Sequence, residues 1–240
     1  MARFAVELPG ALRQFAGAAS VQRALVDVAL PARFDAARSW PVLLVNATSD
    51  PGHQSSRALA QAYRSAATAA GWVVIAADPE PAVSQEDDRL TLRFALASAA
   101  LAALQLHWPQ ADRAPLALAG FSGGAKYSGW LAALLARQGR RVVGVYLAGI
   151  NEEPLEAAAR QLGVFDDRFR RVPVFLQGGL KDRVATPARH RRLQAELLGA
   201  GFTQVRLEFA EGGHEIDAEP LSRALAWFAE MAPAGTVDSK

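Results

Sequence analysis

Three residue types that together can activate a hydroxyl occur in the order serine, acid, histidine along this 240-residue chain. Ser122 stands within Gly120-Phe121-Ser122-Gly123-Gly124, Asp182 within Gly178-Gly179-Leu180-Lys181-Asp182-Arg183, and His214 within Glu211-Gly212-Gly213-His214-Glu215. A serine hydroxyl is a poor nucleophile at neutral pH. A histidine must take its proton, and a carboxylate must fix the tautomer of that histidine and stabilise the imidazolium that forms. The G-x-S-x-G pattern adds a mechanical requirement: a turn sharp enough to present the serine strains its backbone and brings neighbouring chain too close for a Cβ at the flanking positions. The five residues alone are unspecific, since any glycine-rich turn after a buried strand produces them. The placement of the acid and the histidine decides.

Of the four histidines, His53 falls in the loop after the first apolar strand, His107 ends a helix and His190 sits inside one, so His214 is the candidate base. Asp182 is the preferred acid, with a turn-stabilising aspartate as its plainer reading. Glu152 and Glu153 rival it, and their other use is favourable charge at a helix N-terminus behind an Asn151 cap. Glu215 and Asp217 are too near His214 in sequence to orient it, and suit the start of the last helix. Acyl transfer also needs donors for a developing oxyanion. The backbone amide of Gly123 is one, and the second is expected from Ala47 or Thr48, although the threonine has an equal use in shaping its turn. Tyr127 and Trp130, on the helix after the serine, are candidates for pocket lining or for core. No set of residues has metal-ligand spacing and no G-x-x-x-x-G-K loop is present, so no cofactor is expected.

These residues need a scaffold that gathers loop ends at one edge. Apolar runs at 40–47, 72–77, 115–121, 141–150, 172–177 and 205–209 read as buried strands, with a half-buried strand at 23–30 before them. Helical patterns lie between them at 56–70, 90–108, 123–137, 151–162, 187–198 and 220–231. Along 90–108, Leu90, Phe94, Ala97, Leu101 and Leu104 form one face. Ser55 or Ser56 caps the helix at 56–70, and Thr186 precedes Pro187 as a cap before a proline at the first helical position. Strands alternating with helices predict an α/β fold with a mainly parallel, doubly wound sheet. In such sheets functional groups collect at the carboxyl ends of strands, and Ser122, Asp182 and His214 each follow one. The whole chain, 1–240, reads as a single domain, with 1–20 and 233–240 peripheral.

Composition fits ordinary globular material: 51% hydrophobic, 21% charged and a formal charge of +2. The clusters Arg137, Arg140, Arg141 and Arg189, Arg191, Arg192 lack interleaved aromatics and read as solvated helix surface, which argues against a nucleic-acid partner. With no cysteine there are no disulfides, thiolate metal sites or cysteine nucleophiles, and the compartment stays open. No apolar run matches a leader or a membrane span. Oligomeric state is not legible.

Taken together, VLLVNATSDPG, GFSGG, GGLKDRVATP and EGGHEID resemble the α/β-hydrolase superfamily over about residues 23–231, and in particular compact lidless esterases of the dienelactone-hydrolase and polyhydroxybutyrate-depolymerase type. The resemblance implies Ser122 as nucleophile, Asp182 as acid and His214 as base of a carboxyl-ester hydrolase acting on a small-molecule or polymeric ester. One departure is Asn46-Ala47, where many members carry a histidine-glycine pair beside the oxyanion hole. The same triad also serves peptidases and thioesterases, and the fold also serves non-catalytic binding proteins.

Overall fold

The computed structural model describes residues 1–48 and 55–231. His53, most of the loop after the first apolar strand, and the expected peripheral tail at 233–240 lie outside the described residues. An eight-stranded sheet runs in the order β1-β2-β4-β3-β5-β6-β7-β8. Its strands are β1 (Ala2–Glu7), β2 (Arg23–Ala29), β3 (Val42–Asn46), β4 (Val73–Glu80), β5 (Leu116–Phe121), β6 (Val142–Ala148), β7 (Val174–Gly179) and β8 (Val205–Ala210). The pairs among β3 to β8 are parallel, whereas β1 and β2 join antiparallel at one edge. The helices are α1 (Gly10–Ala16), α2 (Ser56–Ala69), α3 (Leu90–His107), α4 (Gly123–Arg137), α5 (Leu155–Gln161), α6 (Asp167–Arg170), α7 (Pro187–Gly199) and α8 (Glu219–Met231).

The continuous apolar strands are explained by cover on both faces, since successive side chains point to opposite sides. Val42 and Leu44, Val73 and Ile75, Leu116 and Leu118, Val145 and Leu147 enter one core, which α3, α4, α5 and α7 complete. Leu43 and Val45, Val74 and Ala76, Ala117 and Ala119, Tyr146 and Ala148 enter the other, closed by α2 and α8. Helix α3 is buried beyond the single predicted stripe: Leu92, Ala95, Leu96 and Ala99 are also inside, and so is Arg93. A charge there requires partners. Arg93 holds Asp88 through Nε at 2.6 Å and Nη2 at 2.7 Å, and its Nη1 donates to Ser56 Oγ at 2.9 Å.

The first twenty residues, read from sequence as peripheral, belong to the sheet and its cover. β1 pairs along its whole length with β2, and α1 packs on α3. In ARFAVE, Phe4 and Val6 are half-buried and alternate with the exposed Arg3, Ala5 and Glu7, the pattern of an edge strand with one face covered. Ser55 is the cap of α2, accepting from the Ala58 amide at 3.1 Å, and Thr186 caps α7 by accepting from the Arg189 amide. The connection between β6 and β7 is folded into α5 and α6, with α5 against α4. Among the described residues no connection forms a separate lid.

Candidate active site

The carboxyl ends of β5, β7 and β8 bring the three residues together. Ser122 lies between β5 and α4 with φ 53° and ψ −121°, the one non-glycine residue with positive φ among those described. Its amide donates to the Ala148 carbonyl at 2.8 Å, which ties the turn to β6. The flanking glycines are required by close approach: a Cβ on Gly120 would stand 2.2 Å from the Gly124 carbonyl oxygen, and one on Gly124 would stand 2.2 Å from that of Asn46. Strand, turn and helix are thus pressed together so that the serine side chain projects at the apex.

His214 Nε2 is 3.1 Å from Ser122 Oγ, and His214 Nδ1 is 2.8 Å from Asp182 Oδ2. The second carboxylate oxygen of Asp182 accepts from the amides of Val184 at 2.7 Å and Ala185 at 2.8 Å, which fixes the carboxylate plane it presents to the histidine. Burial alone pushes the Asp182 carboxyl up, but the hydrogen bond with His214 and those from Ala185 and Val184 outweigh it and hold the group below the usual carboxylate range. The carboxylate is sealed, with 1% of its side chain exposed, whereas His214 keeps 22% exposed and remains reachable. The contact Nδ1–H to carboxylate leaves Nε2 as the acceptor facing the hydroxyl.

The rival acids are elsewhere. Glu152 pairs with Lys126 at 3.2 Å, and Glu153 accepts from the Leu155 amide at the start of α5. Asp217 accepts from the Glu219 amide at 2.9 Å, while Glu215 accepts from Gly213 within the histidine loop. His190 is fully buried in α7, against Phe209.

For the oxyanion donors, Gly123 begins α4 directly after the serine. A Cβ on Gly123 would lie 2.6 Å from the Thr48 methyl carbon, so the β3 loop faces the first turn of α4 at this point. The Ala47 amide is engaged, donating to Ser56 Oγ at 3.2 Å. Of the two residues expected from sequence, Thr48 is therefore the candidate second donor. Asn46 is buried and donates through Nδ2 to Ser128 Oγ on α4 at 3.2 Å. It clamps the β3 loop to the helix that follows Ser122. Through Ser56, the same loop connects to Arg93 and Asp88, a support that sequence periodicity could not reveal because Arg93 occupies a helix reading as core.

Tyr127 and Trp130, read from the sequence as pocket lining or core, pack against the core. Tyr127 donates its hydroxyl to the Asp88 carbonyl, and both rings pack against the core on the α3 and α4 side. Two residues that sequence reasoning passed over sit against the histidine. The Phe121 ring lies 4.7 Å from the His214 ring, centroid to centroid, and Gly149, at φ 56°, leaves the space both occupy.

No protein-family model matches the chain, and no curated protein matches it. Solved structures do. An esterase of Rhizomucor miehei aligns with TM-score 0.64 and 13% identity over 96% of this chain and 82% of its own. A lidless α/β serine hydrolase of Xanthomonas campestris aligns with TM-score 0.61 and 19% identity over 97% and 95%. The acylaminoacyl peptidase of Pyrococcus horikoshii aligns with TM-score 0.60 and 12% identity over 95% of this chain, which spans 40% of the peptidase's length. Together with the mainly parallel sheet and the serine turn after β5, these likenesses give the chain the α/β-hydrolase fold.

Proposed function

We propose that the protein is a serine carboxyl-ester hydrolase working through an acyl-enzyme. The observation that carries this reading is the continuous chain from Ser122 Oγ to His214 Nε2 and from Nδ1 to Asp182, built on a strained turn. Ser122 Oγ attacks the ester carbonyl carbon as His214 Nε2 takes its proton. The tetrahedral oxyanion is held by the amides of Gly123 and Thr48. The carbon–oxygen bond to the alcohol breaks, and the alkoxide leaves with the proton from His214. Water then attacks the acyl carbon, its proton passes to His214 and on to Ser122 Oγ, and the carboxylic acid departs. Asp182 stays ionised throughout, in keeping with its lowered pKa.

The fungal esterase and the lidless hydrolase support the ester reading by fold. The peptidase and a maize acyl-protein thioesterase, at TM-score 0.54, mark peptides and thioesters as the substrates to compare. The test is labelling by a fluorophosphonate with the adduct located by mass spectrometry, together with turnover of a short-chain nitrophenyl ester. Wild type is expected to carry the adduct on Ser122, and Ser122→Ala to lose about 10³-fold or more in kcat. An unlabelled Ser122, or equal turnover by both proteins, rejects the proposal. Faster turnover of a peptide or thioester panel would move the assignment within the same chemistry.

A further inference from the structure

The sheet ends in β1, whose one strand neighbour is β2, so among the described residues no strand pairs with the outer edge of β1. Such an edge presents a row of amides and carbonyls that can pair with another chain, and monomers blunt theirs with lysine, proline, a bulge or an inward-pointing charge. β1 has none of these: Ala2 to Glu7 pair with β2 residue for residue, without a register shift. Its two charges are of opposite sign, and one is unmatched. Arg3 donates Nε and Nη2 to Asp27 at 3.0 Å each, and 34% of its side chain stays exposed. Glu7 forms no ion pair among the described residues, and Arg23, opposite it on β2, is turned to Glu80 at 2.9 Å.

This strand is complementary to itself. When two copies of β1 pair antiparallel with Ala5 opposite Ala5, Arg3 falls opposite Glu7 and Phe4 opposite Val6. Alternation keeps the two sets on separate faces, with Arg3, Ala5 and Glu7 on the exposed one and Phe4 and Val6 on the half-buried one. A slip by one residue turns the partner's covered face outward. A slip by two sets both charges against uncharged residues, so this register is the one that matches charge and face together. Apolar side chains border the same edge. The Phe4 ring meets His107 of α3 edge-on at 6.4 Å, next to Leu106, which is 83% exposed. Met1 leads into β1 and Leu30 follows the strand paired with it, at 36% and 47% exposed.

We propose that the occupant of this edge is a second copy of the chain, and that the protein forms a two-fold dimer through antiparallel pairing of β1 with β1. The dyad runs perpendicular to the sheet between the two Ala5 residues, and the contact is isologous: each Arg3 meets the partner subunit's Glu7, and each Phe4 meets the partner subunit's Val6. Glu7 thereby gains the cation it lacks within its own chain. The two eight-stranded sheets become one, with strand directions reversed across the dyad. Ser122, Asp182 and His214, at the carboxyl ends of β5, β7 and β8, then open at opposite ends of the assembly and away from the contact. This contact is independent of the ester-hydrolase reading.

The chain has no cysteine, so a single introduced one reports the register. In this pairing the two Ala5 Cα atoms stand about 5 Å apart, within the span of a disulfide, whereas the two Ala2 Cα atoms stand about 20 Å apart. In sedimentation equilibrium the wild type is expected at twice the mass of one chain at micromolar concentration. Under oxidised glutathione, Ala5→Cys is expected to become a cross-linked dimer about tenfold or more faster than Ala2→Cys, which couples only through chance collision. Glu7→Arg sets like charges opposite each other at both symmetry-related pairs and raises the dimer dissociation constant about tenfold or more, with the circular dichroism of a folded chain retained. A wild type that stays monomeric at every concentration overturns the proposal. A dimer in which Ala5→Cys cross-links no faster than Ala2→Cys overturns it as well, since the contact then lies on another face.

Discussion

Gly149 sets the position of His214, the proposed base, from a place apart from the His214–Ser122 contact. Its φ of 56° lies where side chains are strained, and a Cβ there would stand 2.6 Å from the Phe121 ring and 3.2 Å from His214 Cε1. Phe121 is fixed as the last residue of β5, so the ring that yields is the one on a loop, His214. Gly149→Ala is expected to lower kcat by about 10²-fold, because displacements of order 1 Å at a proton-transfer contact cost that much. Fluorophosphonate labelling rate and circular dichroism distinguish a displaced base from a failed fold. Unchanged kcat would show that His214 tolerates the crowding. Residue-scale chemistry of this kind was half legible in the sequence. The acid loop and the histidine loop announced Asp182 and His214, but nothing in Leu147-Ala148-Gly149-Ile150 says that the glycine borders a ring from a segment more than sixty residues away.

At the scale of elements, α5 carries a pH-dependent term in stability. Glu153, half-buried before the helix, has its pKa raised to about 7, chiefly by burial, against the opposing hydrogen bonds from the Leu155 and Glu156 amides and with the added repulsion of Glu156 and Glu196. The folded chain therefore holds a proton between pH 4.5 and about 7 that the unfolded chain releases. The stability so gained is full below 4.5 and is lost as pH rises through about 7. Glu153→Gln keeps an acceptor for the amides and removes the titration. Its Tm is expected to exceed that of wild type at pH 8 by about 2–4 °C, with the difference vanishing near pH 4, as measured by thermal melts across pH. A constant difference at all pH values would reject the assignment. In sequence, Glu153 reads as a simple N-terminal charge. Its partial burial depends on how α5 lies against α4, which no local pattern encodes.

For the whole molecule, the N-terminal segment completes the sheet. β1 covers the outer edge of β2, and Arg3 reaches the buried Asp27 through Nε and Nη2 at 3.0 Å each. Removing residues 2–17 leaves a seven-residue strand edge uncovered and a buried carboxylate without this partner, two conditions that promote association and loss of stability. The shortened chain is expected to melt several degrees lower and to scatter light in proportion to concentration. A monodisperse product with the original Tm would show that the segment is an appendage.

The sequence by itself determined the alternation of strands and helices, the serine turn, and the order in which acid and histidine follow it. Those features are local: continuous apolar runs, glycines at a forced approach, and caps at helix starts. Tertiary structure alone decided what depends on contacts between distant segments. It engaged the Ala47 amide with Ser56 and so favoured Thr48 as donor, turned Tyr127 and Trp130 to the core, buried Arg93 against Asp88, and drew the first strand into the sheet. Each of these is a competition among partners for one hydrogen bond or one patch of surface, and the outcome exists only once the partners have been brought together.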